Sequence, residues 1–177
     1  MAERALLACE QADGRYTVAT SRWGGTDSAL ATVCLGVSPQ RLADVDWTAT
    51  QCHPEFTAVV ATLDVLPVES LYRVTSESTT AFVSLWFGLP LVGATGAHPG
   101  VGALAAVDSV ADARALRRWF RSVKGTLTDA VTTGALPIAT APLALTAAVA
   151  SRGGRERYLV SAGTAVHLSP GTGPDDL

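Results

Sequence analysis

The chain has 177 residues, a formal net charge of −3 at pH 7, 48% hydrophobic residues and 16% charged residues. The length suits one domain with a single core, and the high apolar content excludes a disordered chain. A net charge this small does not by itself indicate a strongly acidic or basic partner, so any electrostatic recognition must depend on local clusters. We predict one α+β domain over residues 1–168, followed by a flexible C-terminal tail over residues 169–177.

The cysteines and the apolar segments indicate a cytoplasmic protein. Cys9, Cys34 and Cys52 are odd in number and lack CxxC spacing, which excludes a disulfide framework or a zinc knuckle. No Asp, Glu, Lys or Arg lies between Glu77 and Asp108. Gly88 and other breakers interrupt this stretch before about 20 helical residues accumulate, so we predict no membrane span.

The first half of the chain is rich in strand signals. Two strand-like segments, Arg4–Glu10 and Arg15–Trp23, flank Asp13-Gly14, which is a strong hairpin signal because glycine accepts positive φ. A second hairpin is predicted from Ser70–Thr75 and Thr79–Phe87. Between the hairpins we predict two short helices, Ser28–Cys34 and residues 54–63.

The second half alternates one strand, several helices and a last strand. We predict a strand over Val101–Val107, an amphipathic helix from the Ser109 cap to about Lys124, and a late strand over Arg157–Ser161. Further helices are predicted over Leu127–Thr132 and Pro142–Arg152. Together these elements predict an α+β fold with a largely antiparallel sheet, built from the two hairpins plus further strands, with the helices packed on one face.

The helix after Ser109 carries the clearest charge pattern in the sequence. Five cations recur at intervals of three and four residues and therefore share a face: Arg114, Arg117, Arg118, Arg121 and Lys124. Our first hypothesis is a non-enzymatic binding module whose basic helix engages an anionic partner, namely nucleic acid, a ribonucleoprotein or an acidic protein. The alternative is an ordinary solvated face.

A glycine-rich loop gives a second hypothesis, a nucleotide-binding enzyme. Gly24-Gly25-Thr26-Asp27-Ser28 follows a strand and precedes a helix, where backbone amides can hold a phosphate. The loop resembles the SGGxDS loop of the PP-loop adenylating enzymes. That resemblance implies pyrophosphate binding by Gly24, Gly25, Asp27 and Ser28, although Trp23 stands where the family has serine. The other interpretation is a glycine turn followed by a helix cap.

Other candidates for chemistry are weak. Cys52-His53 has poor spacing for zinc, so we predict no metal site. The sequence contains no nucleophile elbow, HExxH motif, Walker A loop or GxGxxG motif, so we predict no cofactor and no catalytic residue. A third hypothesis is a structural subunit that forms a homo-oligomer through the apolar segment from Leu85 to Leu91.

Several blocks of the sequence resemble an uncharacterised family of small haloarchaeal proteins. The resemblance lies in Arg4–Ala8, Glu10, Asp13–Tyr16, Ser21–Gly24, Leu71-Tyr72, Leu85–Leu89, Val101–Val107, Arg118–Arg121 and Lys124. It implies a cytoplasmic archaeal protein and brings no established activity. Arg22 departs from the histidine usual in that family, so no imidazole role is carried over to this position.

Overall fold

The computed structural model describes residues 4–21, 48–91, 100–152, 155–161 and 163–169. The helix predicted over Ser28–Cys34 lies outside these ranges. Within them the chain forms one eight-stranded sheet with three α-helices, which agrees with a single α+β domain. No helix in the described ranges is long and apolar enough to cross a membrane.

The sheet is mixed, with the order β3-β2-β1-β4-β5-β6-β7-β8. One interior pair, β1 and β4, is parallel, and every other neighbouring pair is antiparallel. From this pair the chain runs outward twice, once through β2 to β3 and once through β5 to β8. The strands are β1 (Arg4–Glu10), β2 (Tyr16–Ser21), β3 (Thr48–His53), β4 (Val68–Val74), β5 (Thr79–Trp86), β6 (Gly102–Val107), β7 (Arg157–Ser161) and β8 (Thr164–Leu168).

Asp13 and Gly14 form the turn between β1 and β2. Gly14 has a φ of 81°, a conformation that glycine adopts without steric cost. The Gly14 amide donates to the Gln11 carbonyl at 2.9 Å, and the Arg15 amide donates to Asp13 Oδ1 at 3.1 Å. The residues that signal a turn in the sequence therefore make its hydrogen bonds.

The helices pack on both faces of the sheet, not on one face as we expected. They are α1 (Phe56–Ala61), α2 (Val110–Thr132) and α3 (Ala141–Ser151). Tyr72 and Val83 lie in the core beneath α2 and α3, whereas Leu71 and Phe82 lie in the core beneath α1. All four side chains are fully buried. Consecutive apolar residues in β4 and β5 are typical of strands that are buried on both sides.

Helix α1 contacts both ends of the sheet. It packs against β2 and β3 on one side and against β7 and β8 on the other. The Phe56 ring centroid lies 5.6 Å from the rings of Tyr16, in β2, and of Tyr158, in β7. The sheet therefore curls around this short helix, and one aromatic side chain joins strands that are five positions apart in the sheet order.

Helix α2 is one continuous helix, whereas we expected two segments separated near Gly125. Ser109 caps it as predicted, with its Oγ accepting from the Asp112 amide at 3.0 Å. Gly125 is exposed and does not interrupt the helix. A single glycine costs a helix about 1 kcal/mol relative to alanine, which packing of Leu116 and Phe120 against the sheet offsets.

Two strands of the structure were not expected from the sequence. Edge strand β3 contains Cys52 and His53, and β8 forms the other edge near the C-terminus. Most residues of β3 are polar, and every residue of β8 except Leu168 is partly or fully exposed, so neither strand shows the apolar alternation that signals a half-buried strand.

Candidate anion-binding groove

Helix α2 carries a run of cations uninterrupted by acids. No Asp or Glu lies between Asp112 and Asp129, while the intervening turns hold Arg114, Arg117, Arg118, Arg121 and Lys124. The opposite side of the helix buries Ala113, Leu116 and Phe120 against the sheet. The apolar stripe fixes the rotation of the helix, so the cations face outward or to the side.

Three of the five cations line one groove at the end of the sheet. Arg117, Arg121 and Lys124 form the helical wall. The opposite wall comes from Val65 and Leu66 before β4, from Val68 and Glu69 at its start, and from Ser84–Trp86 at the end of β5. The groove has a volume of about 300 Å³. It is a concave surface with three cations on the helical wall and a mostly apolar opposite wall that also holds Glu69 and Ser84.

Lys124 is held at the bottom of the groove by Trp86. Its Nζ donates to the Trp86 carbonyl oxygen at 3.2 Å and lies 4.7 Å from the centroid of the Trp86 ring. Burial lowers the pKa of Lys124 from its usual value. A cation over the face of an indole is attracted by the ring quadrupole, so Trp86 fixes the position of this ammonium group.

Trp86 also brings a hydrogen-bond donor that is not used within the described residues. Its indole Nε1 is buried and has no partner there. The indole lies over Gly88, where any side chain would collide with the ring. A buried donor without an acceptor costs free energy, which the packing of the indole must offset.

The two arginines of the groove differ in the groups that their side chains contact. Arg117 Nη2 lies 4.0 Å from Glu69 Oε2, and both side chains are partly exposed. Arg121 is exposed, and its Nε donates to the Arg117 carbonyl oxygen at 3.3 Å. A partly exposed ion pair contributes little to stability, so Arg117 can exchange Glu69 for another anion at low cost.

Arg114 and Arg118 do not line the groove. Both side chains are exposed on the neighbouring part of the helix surface. Three of the predicted site residues thus meet in the groove, and the other two extend the positive surface away from it. We call the groove together with Arg114 and Arg118 the basic face.

Sequence reasoning missed the non-helical wall of the groove. Glu69, Trp86 and Leu66 contribute an anion, an indole and an apolar side chain that is 50% exposed. Trp86 is separated from Lys124 by 38 positions, and no local spacing connects the two. The sequence offers one signal for this wall, because Leu66 is an apolar residue next to Pro67 in a loop.

The other site hypotheses concern the glycine-rich loop, a metal site and self-association. The loop residues Gly24, Gly25, Asp27 and Ser28 lie outside the described ranges. Among the residues that the structure does describe, no group of His, Cys, Asp and Glu is placed to hold a metal ion. In the segment from Leu85 to Leu91, Leu85 and Phe87 are buried within the core, while Trp86, Leu89, Pro90 and Leu91 are partly or fully exposed, and self-association stays a prediction.

A second polar cluster lies on the α1 side of the sheet. Arg73 Nη1 and Nη2 donate to the two oxygens of Glu156 at 2.8 and 2.7 Å, and the Tyr158 hydroxyl donates to Glu156 Oε1 at 2.6 Å. The Arg73 guanidinium lies 4.8 Å from the centroid of the Phe56 ring. His167 stacks on Tyr158 with 4.8 Å between the ring centroids.

Glu156 is ionised in this cluster. Burial opposes its ionisation, but the hydrogen bonds from Arg73 and Tyr158 and the charge of Arg73 outweigh burial and lower the pKa of Glu156. Burial and the bond to Glu156 raise the pKa of Tyr158. Arg73, Glu156 and Tyr158 satisfy one another, and the cluster ties β4 to β7.

Comparison with known proteins gives a family and no activity. No curated protein and no solved structure matches the chain. A family model of unknown function, DUF6735, matches residues 27–160, which include β4 to β6, the helix α2 and both walls of the groove. The match covers more than half of the chain, so this protein belongs to the DUF6735 family.

Proposed function

We propose that this protein is a non-enzymatic binding module that holds single-stranded nucleic acid on the basic face. The observation that carries the proposal is the meeting of Arg117, Arg121 and Lys124 in one groove, with Arg114 and Arg118 continuing the positive surface. Phosphate contacts by Arg and Lys supply most of the affinity in binding of this kind.

The groove favours a single strand over a duplex. Leu66 and the Trp86 indole line it beside the cations. A flexible strand can place a phosphate on Arg121 and turn the adjoining base toward these apolar groups, whereas the stacked bases of a duplex are not free to do so. An acidic protein surface offers carboxylates to the cations, but it has no nucleobase to pack against the apolar side chains of the groove.

The test is a fluorescence anisotropy titration of a labelled single-stranded oligonucleotide. The variant is Arg118→Ala/Arg121→Ala, because both side chains are exposed and their loss leaves the core intact. We expect its affinity to fall by about tenfold or more at an ionic strength of about 0.1 M.

The matched control is Arg15→Glu, which lowers the net charge by the same two units at an exposed position between β1 and β2. It should bind with nearly wild-type affinity. Equal losses in the two variants would show that only net charge matters, and no loss in either would contradict the proposal. Tighter binding to a duplex or to an acidic peptide of equal charge would overturn the choice of partner.

A further inference from the structure

A second cavity lies between the first turns of α2, the C-terminal end of α3 and the end of β6. Its volume is about 210 Å³, and it shares no lining residue with the groove described above. The walls include Val107 and Leu116, which are apolar. Three arginines also line it, namely Arg152, Arg155 and Arg157.

Arg157 is the unusual member of this group because it is only 3% exposed. Its Nη1 donates to the carbonyl oxygens of Val149 and Ala150 at 2.7 and 2.8 Å, and its Nε donates to the Arg155 carbonyl oxygen at 3.2 Å. These bonds satisfy carbonyls at the end of α3, where a cation is favoured. They explain why the guanidinium is placed here.

The same bonds leave part of the guanidinium unsatisfied. Nη2 of Arg157 is buried and has no hydrogen-bond partner within the described residues. The acceptors of Nη1 and Nε are neutral carbonyls, so no carboxylate is bonded to this buried cation. An arginine in a dry site ordinarily pairs with a carboxylate or phosphate, which accept two parallel hydrogen bonds.

The two other arginines are held at the cavity by different contacts. The Arg152 guanidinium lies 4.3 Å from the centroid of the Trp119 ring, which positions the cation without neutralising it. Arg155 forms an exposed ion pair with Asp108. Asp112 also lines the cavity. Among the described residues, three cations thus face two carboxylates, and one positive charge remains.

We propose that this cavity binds a small oxyanion, carried by a phosphate or a carboxylate group, between Arg152, Arg155 and Arg157. The excess charge and the exposed guanidinium groups of Arg152 and Arg155 provide for the anion, and Val107 and Leu116 provide for a short apolar part of the same molecule. The volume is below the roughly 300–1,000 Å³ of pockets for drug-sized ligands, so the ligand is a small metabolite or a free anion.

Thermal denaturation in phosphate or acetate tests the proposal, with chloride at the same ionic strength as the reference. We expect at least one of the two anions to raise the Tm of the wild-type protein, by about 5–10 °C at a hundredfold excess over its Kd. A response to phosphate alone identifies a phosphate site, and a response to acetate alone identifies a carboxylate site.

The variants Arg152→Ala and Arg155→Ala separate this cavity from other sites, because both side chains are exposed and neither is part of the core. Each should lose most of the Tm increase, while Arg118→Ala/Arg121→Ala should keep it. The proposal is overturned if neither anion raises Tm, or if the increase persists unchanged in both arginine variants. These outcomes do not depend on whether the basic face binds nucleic acid.

Discussion

Glu156 joins three side chains that come from β4, β7 and β8. It accepts from Arg73 and Tyr158 and lies 3.6 Å from the His167 ring nitrogen. The Arg73 and Glu156 side chains are each about one-fifth exposed, so water screens the pair only in part. A partly buried, bidentate pair of this kind stabilises a fold more than an exposed ion pair does.

Replacing this carboxylate should make the stability less dependent on pH. Because the folded state lowers the pKa of Glu156, its contribution is complete above the ordinary glutamate pKa of about 4.3 and is lost as pH falls through the folded-state value. We expect Glu156→Gln to reduce the free energy of unfolding near pH 7 by about 1–3 kcal/mol.

Urea denaturation of both proteins between pH 7 and about pH 3 measures this effect. The gap between wild type and Glu156→Gln should close in the acidic part of the range. Glu77→Gln, which alters an exposed carboxylate in the turn after β4, is the control and should track the wild type. A gap that stays constant down to about pH 3 would show that ionisation of Glu156 does not stabilise the fold.

The residues of this cluster could be predicted only in part. Tyr158 was predicted to lie in a late strand over Arg157–Ser161, and that strand is present. The pairing of Arg73 with Glu156 joins residues 83 positions apart and follows from the sheet order. The sequence contains no local pattern that specifies this order.

At the scale of elements, two glycines have opposite roles. Gly125 lies on the exposed side of α2, and a Cβ added there meets nothing within 4 Å. Gly102 begins β6, where an added Cβ would collide with the Leu85 carbonyl oxygen and lie 2.8 Å from Val65 Cγ2. The first glycine weakens its helix, and the second permits the close approach of β5 and β6.

Alanine at these positions should therefore change stability in opposite directions. We expect Gly125→Ala to raise the free energy of unfolding by about 0.8–1 kcal/mol, because alanine favours a helix. Gly102→Ala should lower it by about 1–3 kcal/mol, because the backbone must move to admit a methyl group. Urea denaturation measures both, and a loss of stability in Gly125→Ala or none in Gly102→Ala would contradict the packing described.

Element boundaries followed the sequence most closely where a cap or a turn fixes them. Ser109 begins α2 and Gly14 closes the first turn, both through hydrogen bonds made within a few residues. The edge strands β3 and β8 were missed because β3 is mostly polar and β8 has only five residues, of which only Leu168 is buried. Strand pairing with a distant neighbour overrides weak local preference.

At the scale of the whole molecule, the curled sheet brings distant segments to one site. The cations of α2 were predictable from helical periodicity, since residues three and four positions apart share a face. The opposite wall, with Glu69 and Trp86, is placed by the packing of α2 across the ends of β4 and β5. The sequence therefore predicts the cationic wall of the groove but not the opposite wall, which depends on tertiary packing.

The salt dependence of oligonucleotide binding tests the central claim most directly. Each phosphate contact with a single strand contributes about 0.7 to the slope of log K against log salt concentration. Arg118→Ala/Arg121→Ala removes two proposed contacts, so the magnitude of the slope should fall by about 1.4 between about 0.05 and 0.2 M salt. Arg15→Glu should keep the wild-type slope. A slope that is the same in all three proteins would contradict binding at the basic face.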